Sequence, residues 1–263
     1  MFYHGFYVNI DAYSNYHYGP LNTETRILSY IGIAKGDIPT EHWYRLSRTL
    51  PEDYTWQQQS PSNRVEKMAG DISYFGGYYE YEGLQYVPSW GGSMFEALMP
   101  SLFINESELG QAGLGLNGKR HAEIQVSYAL NELNYDIWGM SPCTVPSGGY
   151  SEFGVSVLGQ KGYKAGVITP HATFLALEQV PEAAIKNLRT MISNYDAYGE
   201  YGFYDAIDPI SGDVSLSYLC LDQAMSFIAL DNYLNDGIMR KRFHNDPMIK
   251  GAEHLITEER FFE

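Results

Sequence analysis

The chain has 263 residues, 44% of them apolar and 19% charged, which excludes a disordered polyelectrolyte and provides enough apolar surface for a sizeable core. Its formal net charge of −15 repels phosphate, so neither nucleic acid nor an anionic membrane is expected as a partner. No apolar run reaches the roughly 18 residues that a membrane span needs. The opening Met1-Phe2-Tyr3-His4-Gly5-Phe6 has neither the basic nor the apolar region of a signal peptide.

In chain order, residues 1–20 read as irregular or extended. A first helix is expected from Asn22 or Thr23, either of which can cap exposed N–H groups, with Ile27, Leu28, Ile31 and Ala34 drawing one apolar stripe. Gly36-Asp37-Ile38-Pro39 stops it, and Thr40 is expected to cap a second helix through Leu50, giving a helical hairpin. Residues 51–90 carry short strand-like runs at 72–75 and 83–87. Helices are expected over 93–103 and 118–131, then from Pro170 and from Pro181, each proline opening its helix. A helix over 218–234, apolar around much of its circumference, is expected to be well buried. Long loops at 138–166 and 196–217 separate these helices, and such loops in a compact domain usually carry function. An acidic amphipathic segment ends at Glu263.

Familiar cofactor chemistry is not visible. The two cysteines, Cys143 and Cys220, are too few for a disulfide scaffold or a thiolate metal site and read as buried free thiols. The seven histidines are dispersed, with no His-x-x-x-His or His-Glu-x-x-His spacing, so neither a metal nor a cofactor is expected. Gly113-Leu114-Gly115-Leu116-Asn117-Gly118 resembles a nucleotide fingerprint, but no βαβ unit surrounds it. No Gly-x-Ser-x-Gly elbow appears.

Aromatic content is the anomaly. Tyrosine, at 23 residues, outnumbers the 12 phenylalanines almost twofold. A buried tyrosine must find a hydrogen-bond partner, so surplus tyrosine suits clefts with an apolar face and a wet edge, as carbohydrate sites have. Two carboxylates facing such a cleft are the minimum equipment for glycoside hydrolysis: one protonated to release the leaving oxygen, the other ionised. Glu24 is a candidate, although a first-turn acid also serves the helix dipole. Glu96 is a second, although Ser93 and Glu96 form a capping box by spacing. Asp205, between Tyr204 and Ala206 on a long loop, is less readily explained by capping. Glu152 lies in a glycine-rich loop, and Asp222 reads as structural.

Several ordered segments resemble the glycoamylase-like family, whose members include endo-β-1,2-glucanases and the glycan-cyclising domain of cyclic β-1,2-glucan synthases. The matching segments are Thr23-Glu24-Thr25-Arg26, Ile33-Ala34-Lys35-Gly36-Asp37-Ile38-Pro39, His42-Trp43, Ser89-Trp90-Gly91-Gly92-Ser93-Met94-Phe95-Glu96 and Leu98-Met99-Pro100. They continue with Trp138-Gly139-Met140-Ser141, Gly149-Tyr150, Thr169-Pro170-His171-Ala172-Thr173, Tyr201-Gly202-Phe203-Tyr204-Asp205-Ala206 and Leu221-Asp222-Gln223. The resemblance implies an all-α fold, an (α/α)6 toroid of helical hairpins with a loop-built cleft. The legible helices are fewer than a full toroid needs, so residues 1–263 are expected to form a single domain matching its C-terminal two thirds. Apolar faces left open would be covered by a second copy or by a segment preceding Met1.

The same resemblance implies Glu24 as general acid and Asp205 as the base that activates water, with Glu96 the competing partner. Trp90, Trp138, Tyr150, His171 and Tyr204 would line sugar subsites, and Arg26 would fix Glu24 or bind a hydroxyl. The expected activity is cleavage within β-linked glucan, foremost β-1,2, with inversion at a carboxyl separation of roughly 6.5–9.5 Å and retention near 5 Å. The alternatives are a retaining transglycosylase and a non-catalytic glucan-binding protein. An oligo- or polysaccharide partner and an extracellular or envelope setting follow from the family alone.

Overall fold

A computed structural model describes residues 1–262. The expectation of an all-α toroid is corrected: the chain is mixed, with 38% helix and 17% strand or bridge. An N-terminal hairpin pairs β1 (Phe6–Tyr7) with β2 (Ala12–Tyr13), followed by α1 (Arg26–Ala34) and a short α2 (Glu41–Tyr44). Helix α1 starts later than expected because its presumed caps are otherwise engaged. The Asn22 side chain donates to the Val87 carbonyl, and the Thr23 hydroxyl donates to the Glu24 carboxylate. Glu24 therefore sits in the turn before the helix.

The largest departure from helix is the meander β3 (Asn63–Ala69), β4 (Ile72–Tyr81) and β5 (Leu84–Tyr86). Its sequence gives the reason. Aromatic residues and Ile72 make up much of β4, and both connections are two-residue turns, for which primed geometries are favoured. Glu82 and Gly83 take φ of 49° and 78°, as a type I′ turn requires.

Next come α3 (Met94–Leu98), α4 (Glu106–Leu109), α5 (Leu114–Ser127), α6 (Pro170–Leu175) and α7 (Pro181–Asn194). The two long loops are not bare. They hold the hairpin β6 (Cys143–Thr144) with β7 (Tyr150–Ser151), then β8 (Tyr198–Gly199) with β9 (Gly202–Phe203) and β10 (Ala206–Ile207) with β11 (Val214–Ser215). The chain continues through α8 (Cys220–Leu234), α9 (Ile238–His244), α10 (Pro247–Gly251) and α11 (His254–Thr257). The end of the acidic segment at Glu263 lies outside the described residues.

Two cores hold these elements. The larger joins α3, α5, α6, α7 and the loop strands through Met94, Leu98, Ile124, Trp138, Ile168, Met191 and Ile207. The smaller joins α1, α2, α10 and α11 through Tyr30, Trp43, Ile249, Leu255 and Phe261. Helix α8 is less enclosed than expected. Asp222, Met225, Ala229 and Asn232 form its buried stripe, whereas Leu221, Phe227 and Leu234 face outward. Both cysteines are free, but only Cys143 is buried and Cys220 is exposed.

Candidate functional site

Glu24 and Glu96 line one cavity of about 250 Å³, together with Tyr18, Trp90, Phe95 and Tyr163. The loop before α3 fixes Glu96. Its Oε2 accepts from Ser89 Oγ at 3.0 Å, Ser93 N at 3.0 Å and Ser93 Oγ at 2.9 Å, while the Gly91 N–H lies 3.1 Å from both carboxylate oxygens. The capping box read from spacing is thus present, but the same carboxylate also faces the cavity. Glycine is required in this loop. Gly92 has φ +78°, and a Cβ there would stand 2.0 Å from the Val155 carbonyl oxygen.

Burial and then the neighbouring Glu24 charge push the Glu96 carboxyl up to about 7, against the opposing pull of the Ser93 and Ser89 hydrogen bonds. Burial first, and then Glu96, Glu152 and Glu24, raise the Tyr163 phenol above its ordinary range. Trp90 is 36% exposed and stands 5.5 Å, ring to ring, from Trp56, so its indole offers a partly open face.

Asp205 is in a different place. It lines a second cavity of about 360 Å³ with His171, Tyr204, Asp222 and Phe174. The segment from Pro142 to Thr144 runs between the two cavities: Pro142 lines the first, and Thr144 donates from N and Oγ1 to Asp205 Oδ2, each at 2.7 Å. Burial raises the Asp205 carboxyl above its usual range, Thr144 lowers it, and the Asp222 side chain raises it further.

The remaining sequence candidates separate. His171 and Tyr204 accompany Asp205. Trp138 is 2% exposed and packs in the larger core, so it lines neither cavity, contrary to the expected subsite role. Tyr150 stands 62% exposed on β7, outside both linings. Arg26 neither fixes Glu24 nor meets the cavity. Its buried guanidinium pairs with Glu106, Nε to Oε1 at 2.7 Å, and donates to the backbone carbonyls of Thr23, Glu96 and Ala97. Sequence reasoning did not single out Tyr18 and Tyr163, which carry no local pattern beyond the surplus of aromatic rings, and it met Phe95 only as part of the Ser89–Glu96 segment.

The Glycoamylase family model, described as a glucoamylase family, matches residues 62–247, a span that contains Glu96 and Asp205 but not Glu24. The chain is 32% identical over 271 aligned residues to the cyclic beta-(1,2)-glucan synthase NdvB of Rhizobium meliloti (strain 1021), covering 97% of this chain and 8% of that protein. It is 26% identical to an exo beta-1,2-glucooligosaccharide sophorohydrolase of Parabacteroides distasonis, covering 88% of this chain and 32% of that one. The chain therefore spans less than a third of the length of either relative. In fold it is similar to the endo-beta-1,2-glucanase of Chitinophaga pinensis, solved with sophorotriose and glucose, at TM-score 0.62 and 19% identity over 89% of this chain and 54% of that one. The beta-1,2-glucanase of Parabacteroides distasonis gives TM-score 0.58 at 22% identity, over 68% of this chain and 26% of that one.

Proposed function

The chain belongs to the glycoamylase-like family, and from that premise we propose that it carries a site that breaks β-1,2-glucosidic bonds, with Glu24 and Glu96 as the acting pair. The observation behind this reading is that the two carboxyl groups face one aromatic cavity and the charge of one raises the pKa of the other. Such coupling favours a single proton on the pair, which is the state that acid-assisted glycoside cleavage starts from.

Glu96 is the general acid, in place of the role expected for Glu24. Burial and then the Glu24 charge raise its carboxyl to about 7, so it is the member of the pair that carries the proton near neutrality. Glu24 is the nucleophile. It is half-buried in the turn before α1 and accepts from the Thr23 hydroxyl. In the first step the Glu24 carboxylate forms a bond to the anomeric carbon, the C1–O bond breaks, and the Glu96 proton passes to the departing oxygen. In the second, Glu96 takes the proton of an incoming hydroxyl, whose oxygen bonds to C1 and releases Glu24. Water as acceptor gives hydrolysis; a glucan hydroxyl gives transfer. Both retain the anomeric configuration, in place of the inversion expected for Glu24 with Asp205, since Asp205 lines the other cavity.

The deciding experiment incubates the protein and its E24Q, E96Q and D205N variants with linear β-1,2-glucan and follows newly formed anomers by proton NMR. Loss of at least about a hundredfold in E24Q and E96Q, with β product formed first, is the expected result. Full activity in E96Q together with α product would overturn the pairing.

A further inference from the structure

Outside the Glu24–Glu96 cavity, three chemically matched side chains meet from α6, the β9–β10 loop and α8. One ring nitrogen of His171 and one carboxylate oxygen each of Asp205 and Asp222 lie within 4.8 Å of one another. All three residues are more than nine-tenths buried, at 3%, 2% and 5% exposure. His171 Nε2 and Asp205 Oδ1 are buried with no hydrogen-bond partner, and Asp222 Oδ2, which accepts no hydrogen bond either, lies 3.2 Å from His171 Nδ1. An orphaned buried polar atom carries an unrecovered desolvation cost, larger when charged, unless a ligand satisfies it.

The surrounding hydrogen bonds set these atoms in a ligating state. Thr169 Oγ1 donates to the Asp205 backbone carbonyl at 2.7 Å, so it must accept from His171 Nδ1, also at 2.7 Å. In the neutral ring the proton is then on Nδ1, which also faces Asp222 Oδ2 at 3.2 Å, and Nε2 carries the lone pair. Thr144 occupies Asp205 Oδ2 with two donated bonds and leaves Oδ1 bare. Outer partners that fix a histidine tautomer and orient a carboxylate are the usual supports of metal ligands. Among the described residues no lysine or arginine lines this cavity, and the one basic side chain facing the two buried carboxylates is His171 itself, with Nδ1 3.2 Å from Asp222 Oδ2.

We propose that His171, Asp205 and Asp222 bind one divalent transition-metal ion of the zinc or manganese type. The donor set of one imidazole nitrogen and two carboxylate oxygens suits those ions better than calcium or magnesium, which prefer oxygen alone. Donor atoms within 4.8 Å of one another fit a single coordination sphere, in which metal–ligand bonds run about 2.0–2.2 Å for zinc. Three protein ligands leave a coordination position open towards the cavity, beside Tyr204 and Phe203. The proposal does not depend on the Glu24–Glu96 reading.

Zn2+ alone is the probe. Chelator-treated protein is titrated calorimetrically with Zn2+, and crystals soaked in Zn2+ are examined for anomalous scattering at the zinc edge. The expected result is one ion per chain, a tenfold or greater loss of affinity in D205N, D222N and H171Q, unchanged affinity in the surface control E123Q, and an anomalous peak between the three side chains. The soak uses unsubstituted protein and so decides the matter even if a variant does not fold. Binding equal in all variants, a peak elsewhere, or no uptake would overturn the proposal. So would sophorose binding at this cavity with Zn2+ neither bound nor competing.

Discussion

Glu24 stands across one cavity from Glu96, and after burial its charge is the next cause that pushes the Glu96 carboxyl up to about 7. Removing the Glu24 charge must therefore lower the Glu96 pKa. In E24Q the Glu96 carboxyl is expected to titrate clearly below 7, as read from the carboxyl carbon shift of glutamate-labelled protein. An unchanged titration midpoint would mean that the two groups do not sense each other.

The same shift makes stability depend on pH. A carboxyl whose folded pKa lies above its unfolded value of 4.5 binds more protons in the native state between 4.5 and about 7. Its contribution is complete below pH 4.5 and is lost as pH rises through 7. The full shift corresponds to roughly 3 kcal/mol as an upper order of magnitude. His121 runs the opposite way, since burial lowers its pKa to about 3, so total stability mixes the two trends. The difference between the wild type and E96Q isolates the carboxyl. Urea unfolding at pH 5 and pH 8 is expected to show E96Q gaining on the wild type at the higher pH.

Two tryptophans that sequence placed together separate by experiment. Trp138 is in the larger core, its N–H backbone group held by Asn187 Oδ1 at 3.1 Å, and W138A is expected to cost about 3–5 kcal/mol in unfolding free energy. Trp90 borders the cavity, and W90A is expected to raise KM for β-1,2-glucan severalfold with less than about 1 kcal/mol lost in stability. Thermal melts and saturation kinetics on both variants check the pair.

Local chemistry was legible where it is written in adjacent residues. The Ser93–Glu96 capping box and the prolines opening α6 and α7 were read directly from spacing. The β3–β4–β5 meander was read only as two short strand-like runs, because its tyrosines and glycines carry no clean period-2 alternation and its burial comes from tertiary contact. The division of candidate residues between two cavities was not legible. Nothing in the local sequence distinguishes Trp90 from Trp138, and which one is enclosed depends on how α5, α6 and α7 pack. The His171–Asp205–Asp222 cluster escaped for the same reason: its members come from three distant elements, so no spacing pattern can carry it.

Arg26 clamps the backbones that carry the two glutamates. One guanidinium nitrogen donates at 3.0 Å both to the Thr23 carbonyl, one residue before Glu24, and to the Glu96 carbonyl. The rest of the fork is neutralised by Glu106, which also accepts from Ser101 Oγ at 2.7 Å. Breaking a buried ion pair by removing one partner leaves an uncompensated charge and costs about 3–5 kcal/mol, so R26A is expected to lose that much in urea unfolding. R26K is the more informative change. Lysine keeps the charge and can still meet Glu106, but an ammonium cannot hold a bidentate fork and three carbonyls at once. The expected outcome is a protein that folds with a smaller stability loss yet loses about tenfold or more in kcat, with KM changed much less, because the acid and the nucleophile are no longer held in register. Wild-type kcat in R26K would show that the clamp serves stability alone.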